Sequence, residues 1–290
     1  MKILFQSLAS GSSGNCYYIG THKEGILVDA GIPVRQIKKN LKELKLGLEN
    51  ILGVIITHDH ADHIKSVATL GDKYHLPIYC TAQTFIGINQ NKCIKEKLSN
   101  AATRFIQKED PFSIGDLQIT AFEVLHDAND NVGYLIETPA HCTDPFMETP
   151  PAVNFCFLTD VGRITERVSR YITRANHLIL EANYDDEMLA MGSYPEFLKS
   201  RIRSERGHLS NTSSAEFLTH HIANRPLDTP AGRLQHVWLC HLSQENNHPE
   251  LALKTFDQHL RSLGLVIGLD LQLSILRRTS PTESYEVGLE

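Results

Sequence analysis

The string Thr57-His58-Asp59-His60-Ala61-Asp62-His63 closes an apolar run that predicts a strand over Ile51–Thr57. In extended chain His58 and His60 face the same side and can share one ion, because side chains alternate with a period of two. Asp62 and His63 enter the following helical stretch and diverge toward a second position. Imidazole suits zinc, iron, nickel and copper, and carboxylate admits harder ions such as manganese. Four side chains cannot complete two coordination shells, so a metal reading requires a fold that brings in distant donors. His126, Asp160 and His241 meet that requirement, each placed at the end of an apolar stretch: Leu117–Leu125, Val153–Thr159 and Val237–Leu239. Taken singly, each would more simply be a cap or a surface residue.

The rest of the chain fits such a fold. Further strands are expected at Lys2–Ser7, Cys16–Ile19, Ile26–Asp29, Ile78–Cys80, Arg104–Ile106, Val132–Thr138, His177–Glu181 and Leu271–Ile275. Helical spacing runs over Pro33–Leu46, Ile64–Tyr74, Ile164–Ile172, Tyr194–Ile202, Thr212–His221 and Pro249–Leu263. Ser10–Asn15 reads as a hairpin loop, because it lacks the lysine of a phosphate-binding loop and leads into a strand. Pro139–Pro151 holds four prolines and reads as a long loop insertion. Two β-rich halves, each finished by helices, predict a sandwich of sheets covered by helices, and no linker or repeat divides residues 1–290.

With 41% hydrophobic residues the chain can bury a large core, which excludes intrinsic disorder. A net charge of −6 excludes a general positive field for polyanions, so nucleic acid would need a local basic patch. Cys16, Cys80, Cys93, Cys142, Cys156 and Cys240 lack metal-finger spacing and read as buried, reduced thiols. Gln6 interrupts the first apolar run, and no run approaches the ~20 residues of a membrane span. A cytoplasmic location is therefore expected, with oligomeric state open.

The metal-ligand string and its three distant partners resemble the metallo-β-lactamase-fold hydrolase superfamily, and most closely its YycJ/WalJ-type branch. The resemblance is carried by Ser7–Asn15, Val28-Asp29-Ala30-Gly31, Thr57–Ile64, Leu125-His126-Asp127-Ala128, Thr159–Gly162, Leu180–Leu189, Gly207–Asn211 and His241–Asn247. It implies an α/β chain folded as a single four-layer αββα sandwich holding two divalent metal ions, zinc or manganese. His58, His60 and His126 would hold one ion, Asp62, His63 and His241 the other, and Asp160 would bridge them. Asp29 would orient the ligand loop. The implied activity is phosphodiester hydrolysis in DNA or RNA, as an exonuclease working from a 5′ end, with water activated between the ions. Tyr184 stands where the branch usually has histidine, and Thr212-Ser213-Ser214 replaces its usual acidic residues.

Two metal ions serve lactams, thioesters and phosphodiesters alike, so the substrate must be read elsewhere. Lys199, Arg201, Arg203 and Arg206 precede His208, and Ser210 and Asn211 open a helix whose free amides favour an anion. Beside a metal centre, Arg206, His208, Ser210 and Asn211 are expected to bind substrate phosphate. Asp62, His208 and Asp127 are expected to be catalytic, the last two assisting the leaving group. On its own the same segment would be a solvated basic face and an ordinary cap. Two other functions stay open: a small-molecule hydrolase such as a cyclic phosphodiesterase, thioesterase or lactonase, and a metal-binding regulatory partner without catalysis.

Overall fold

The computed structural model describes residues 2–138, 152–225 and 234–288. The first half supplies β1 (Ile3–Gly11), β2 (Gly14–Gly20), β3 (Gly25–Val28), α1 (Val34–Glu43), β4 (Ile51–Ile55), α2 (Ala61–Ile64), β5 (Ile78–Cys80), α3 (Ala82–Gln90) and β6 (Thr103–Phe105). The second begins with β7 (Phe112–Ile114), β8 (Leu117–Glu123), β9 (Val132–Glu137), β10 (Asn154–Leu158), α4 (Glu166–Thr173), β11 (His177–Glu181), α5 (Asp186–Met191) and α6 (Glu196–Ile202). It ends with α7 (Asn211–Asn224), β12 (His236–Cys240), α8 (Pro249–Ser262), β13 (Gln272–Ile275) and β14 (Tyr285–Val287).

Two seven-stranded sheets result, ordered β14-β1-β2-β3-β4-β5-β6 and β13-β12-β11-β10-β9-β8-β7. In the first, β3 to β6 are parallel and β14, β1 and β2 close the edge antiparallel. In the second, β10 to β13 are parallel and β7 to β9 antiparallel. Strand alternation sorts the core into three layers. Phe5, Tyr17, Ile55, Tyr134, Phe157, Ile179 and Trp238 pack between the sheets. Leu4, Leu27 and Val54 face the opposite way, onto Ile37 and Leu41 of α1 and Ile88 of α3. Leu158, Leu178 and Leu180 face Val168 of α4, Leu218 of α7 and Phe256 of α8. This is the αββα sandwich expected from the sequence, in one domain.

Most expected elements fall where the periodicity puts them, with three informative differences. The helix expected over Ile64–Tyr74 starts at Ala61 and widens into a π turn at Thr69–Lys73, so Asp62 and His63 lie inside its first turn. α3, α5, β7 and β14 are additional to the expected set, and all are short. Cys93 is exposed instead of buried, whereas Cys16, Cys80, Cys156 and Cys240 are buried and free. The loop expected at Pro139–Pro151, with Cys142, lies outside the described residues. Among the described residues no helix is long and apolar enough to cross a membrane.

Candidate metal centre

The C-terminal ends of β3, β4, β10, β11 and β12 meet at one rim of the sandwich. Asp29 directly follows β3, Asp160 lies two residues beyond β10, and His241 directly follows β12. All three hold left-handed backbone, with φ of 59°, 56° and 54°. Non-glycine residues take that conformation at an energetic cost, so surrounding packing must hold them there.

Asp29 organises the ligand loop. Its fully buried carboxylate accepts from the Thr57 backbone N–H at 2.8 Å and the Thr57 hydroxyl at 2.8 Å, and meets His63 Nδ1 at 2.7 Å. Because Thr57 Oγ1 donates to Asp29, it accepts from His58 Nδ1 at 3.0 Å. Protons on the Nδ1 atoms of His58 and His63 leave both Nε2 lone pairs facing the rim. His126 Nδ1 donates to the Gly207 carbonyl at 2.8 Å, and Nδ1 of His241 meets Glu181 Oε1 at 2.9 Å. Four histidines thus point Nδ1 at partners behind them and Nε2 toward the rim, which is how ligating imidazoles are oriented. Gly31 makes the loop contact possible: a Cβ there would sit 1.5 Å from the Asp62 carbonyl oxygen.

The donor atoms form four overlapping groups whose members all lie within 4.8 Å of one another: His58, His60 and His126; Asp62, His63 and His241; His58, His63 and Asp160; and Asp160, Glu181, His208 and His241. Asp160 Oδ2 is 3.1 Å from His63 Nε2, and Oδ1 is 3.7 Å from His126 Nε2. His58 Nε2 and His241 Nε2 are buried and have no hydrogen-bond partner among the described residues. A buried imidazole nitrogen left unmet is costly, and a cation, displacing any proton held there, satisfies both. The residues therefore fit a divalent metal.

The electrostatics divide these histidines into two pairs. Burial, reinforced by His63, His126 and His60, pushes His58 well below the usual histidine range; His126 also falls, chiefly through burial. Both are neutral, the form a metal needs. Burial opposes charge on His63 and His241 too, but Asp160, Asp29 and Asp62 hold His63 well above its ordinary value. Asp160, Asp62 and Glu181 push His241 up to about 10. The same contacts overcome burial at Asp62 and Asp160 and keep both carboxylates ionised.

A cleft of about 300 Å³ opens over these atoms, lined in part by Ser12, Asp62, Asp127, Tyr194, Arg201 and His208. His208 Nδ1 meets Glu181 Oε1 at 2.8 Å, and Glu181 outweighs burial to raise the histidine above its usual pKa. Asp127 contacts His126 Nε2 at 3.2 Å and pairs with the Arg201 guanidinium, which overcomes burial and keeps the carboxyl below its usual range. A carboxylate so held is poorly suited to donate a proton, so the leaving-group role expected of Asp127 finds no support. Ser210 and Asn211 are buried: Ser210 Oγ caps α7 by accepting from Ser213 N–H at 3.1 Å, and Asn211 is bonded to Asn247 at 3.0 Å. Arg206 is exposed and does not line the cleft. The phosphate role expected of these three is unsupported by their placement; Arg201 stands where such a cation would be needed.

Sequence reasoning passed over Glu181. It is fully buried at the end of β11 and accepts from Val161 N–H at 2.8 Å and Leu209 N–H at 3.2 Å through Oε2, while Oε1 meets His208 and His241. The available signal was the run His177-Leu178-Ile179-Leu180-Glu181, an apolar strand ending in a carboxylate like the others at this rim. Asn15 was also missed; its amide lies 2.9 Å from His63 Nε2 and 3.3 Å from Asp62. Asp59, inside the histidine string, turns away and accepts from the Asn129 side chain at 2.6 Å.

The model of the beta-lactamase superfamily domain matches residues 24–227. The chain belongs to the metallo-β-lactamase superfamily. Within this superfamily of metal-dependent hydrolases it falls in the YycJ/WalJ group. It is 31% identical over 286 residues to exodeoxyribonuclease YycJ of Bacillus anthracis, covering 98% of each chain. It is 34% identical over 269 residues to exodeoxyribonuclease WalJ of Streptococcus pneumoniae, covering 93% of this chain and 92% of that one. Among solved structures, the metallo-β-lactamase fold protein YhfI of Bacillus subtilis superposes with a TM-score of 0.64 at 17% identity, covering 99% and 100% of the two chains. That likeness extends to the superfamily fold.

Proposed function

We propose that this chain is an exonuclease that hydrolyses phosphodiester bonds of DNA from a 5′ end, using two divalent cations, zinc or manganese. One observation carries the reading: seven donor side chains from both sheets gather in overlapping groups beneath a cleft lined by His208. His58, His60 and His126 would hold one ion, Asp62, His63 and His241 the other, with Asp160 between them. When bound, such ions acidify water and neutralise charge on a phosphate. The protein's own residues do the rest. Glu181 accepts from His208 Nδ1 and favours the charged ring, whose Nε2–H would then serve as an acid for the departing oxygen. Asp29 and Glu181 fix imidazole directions from behind, and Arg201 restrains Asp127. Nearly full-length similarity to proteins named exodeoxyribonucleases supports the choice of polymer. We place the activity in the cytoplasm, in keeping with the nuclease reading.

The test joins metal analysis to hydrolysis of 5′- and 3′-labelled oligonucleotides and of bis(p-nitrophenyl) phosphate. Two ions per chain and mononucleotide release from the 5′ label are expected. His60→Ala and Asp62→Ala should lose metal and turnover while the fold survives. His208→Ala should slow oligonucleotide cleavage by about 10²–10⁴-fold, the range of general acid catalysis. The nitrophenyl ester should suffer much less, because its leaving group departs without a proton. Turnover of small esters with no action on oligonucleotides would replace this reading by a small-molecule hydrolase. Metal uptake with no hydrolysis at all would make the chain a binding partner.

A further inference from the structure

The helix that walls the cleft carries an apolar group that the centre does not use. Phe197 is 75% exposed on the first turn of α6. Among the described residues no aromatic ring packs on Phe197. Its position follows from helical phase: Leu198, Arg201 and Ile202 of α6 line the cleft, with Tyr194 just before the helix, and Phe197 comes four residues before Arg201. Residues three and four apart are surface neighbours on a helix, so Phe197 continues the cleft wall outward. The guanidinium groups of Arg201 and Arg203 are part-exposed on the same segment, one facing Asp127 and the other Glu196 at 3.9 Å.

The size of the cleft decides what such a group is for. Ligand pockets run from about 300 to 1,000 Å³, and this one, at about 300 Å³, has room for little beyond the reacting nucleotide. A polymer must leave it over one wall. With a net charge of −6, the chain has no general field to hold that polymer, so affinity has to come from local features. An open aromatic face flanked by guanidinium groups is the combination that holds unpaired strands: bases stack on the ring and phosphates meet the cations.

We propose that α6 is the platform for an unpaired nucleotide strand, with Phe197 stacking on a base next to the nucleotide in the cleft and Arg201 meeting the intervening phosphate. The proposal rests on the nuclease reading above and adds strand selection to it. A duplex offers an open base face only at its end, so this surface favours single-stranded or frayed termini.

The test uses the metal-loaded protein and a fluorescein-labelled oligothymidylate with hydrolysis-resistant phosphorothioate links, read by anisotropy. Stacking is worth ~1–3 kcal/mol per base, so Phe197→Ala should weaken binding by about five- to a hundredfold. Phe197→Trp should keep the affinity, and the new indole should be quenched on binding. Moving one abasic site along the oligonucleotide should find a single position where wild type loses affinity and Phe197→Ala does not. Equal binding by wild type and Phe197→Ala would overturn the platform, as would a dimer that Phe197→Ala dissociates, which would assign the ring to a second copy. If wild type cuts ordinary oligonucleotides while Phe197→Ala binds normally, only the platform falls. If wild type cuts none, the nuclease reading falls and takes the platform with it.

Discussion

Glu181→Gln should separate positioning from bulk packing, because the two side chains have nearly the same shape. The carboxylate faces only donors: Val161 N–H and Leu209 N–H on one oxygen, the Nδ1 atoms of His208 and His241 on the other. Whichever way a glutamine amide turns, its NH₂ group meets a pair of donors. Facing the main chain, it loses two amide bonds. Facing the imidazoles, it forces protons from Nδ1 to Nε2, the atom of His241 that has no hydrogen-bond partner among the described residues. Bonds to a charged group are worth ~1.5–3 kcal/mol each, so losing one or two should cost the metal-free protein ~2–5 kcal/mol. For a chain of this size that is a fall in Tm of roughly 5–15 °C. Metal affinity should fall about 10–100-fold, as it does when outer partners of ligating histidines are removed. Calorimetric metal titration reads the affinity, and ¹H–¹⁵N spectra of the imidazoles read the tautomers. If Glu181→Gln binds metal as tightly as wild type, and His208 and His241 both keep their Nδ1 protons, the positioning argument is refuted.

Two further outcomes are expected. Gly31→Ala would drive a methyl group onto the Asp62 carbonyl oxygen, 1.5 Å from its ideal position; main chain must move, at a cost of ~1–3 kcal/mol or more. Metal content should drop while circular dichroism stays near that of wild type, and a fully loaded Gly31→Ala would show that the loop has slack. His177 is buried against Phe155 and Trp238, with both ring nitrogens unpartnered among the described residues, and burial lowers its pKa to about 3. Below pH ~6.5 the unfolded chain therefore takes up a proton that the folded chain refuses. Stability should fall by ~1.4 kcal/mol per pH unit as pH drops toward the folded value. His177→Phe should lessen the slope of urea-denaturation stability between pH 6.5 and 4.5 by about that amount, and an unchanged slope would sink the assignment.

Much of this architecture could be read from residue order because the ligands obey one rule. His58, His126, Asp160 and His241 each lie at or just beyond the carboxyl end of an apolar strand, and a parallel-rich sheet collects those ends at a single rim. Glu181 obeys the same rule and was missed, since a strand followed by one carboxylate has many ordinary explanations. Arg201 and Arg206 could not be told apart in a run of cations; the fold puts the first on the cleft wall within α6 and the second in the exposed turn beyond that helix. Ser210 and Asn211 had the composition of an anion site, but the contact of Asn211 with Asn247 and the capping of α7 consume them. α5 was legible in principle from Asp185 followed by acidic residues. β7 and β14 span three residues each, too few for any period to register.

The left-handed turns at Asp29, Asp160 and His241 have a mechanical consequence. Each costs ~1–2 kcal/mol against relaxed backbone and persists because the hydrophobic layers above and below the strands grip its neighbours. Softening those layers lets a joint spring back toward extended geometry and swing its side chain off target, well before the sandwich comes apart. Warming or a distant core lesion should thus show first as leaked metal, and the temperature at which the ions escape will sit below the one at which the strands separate.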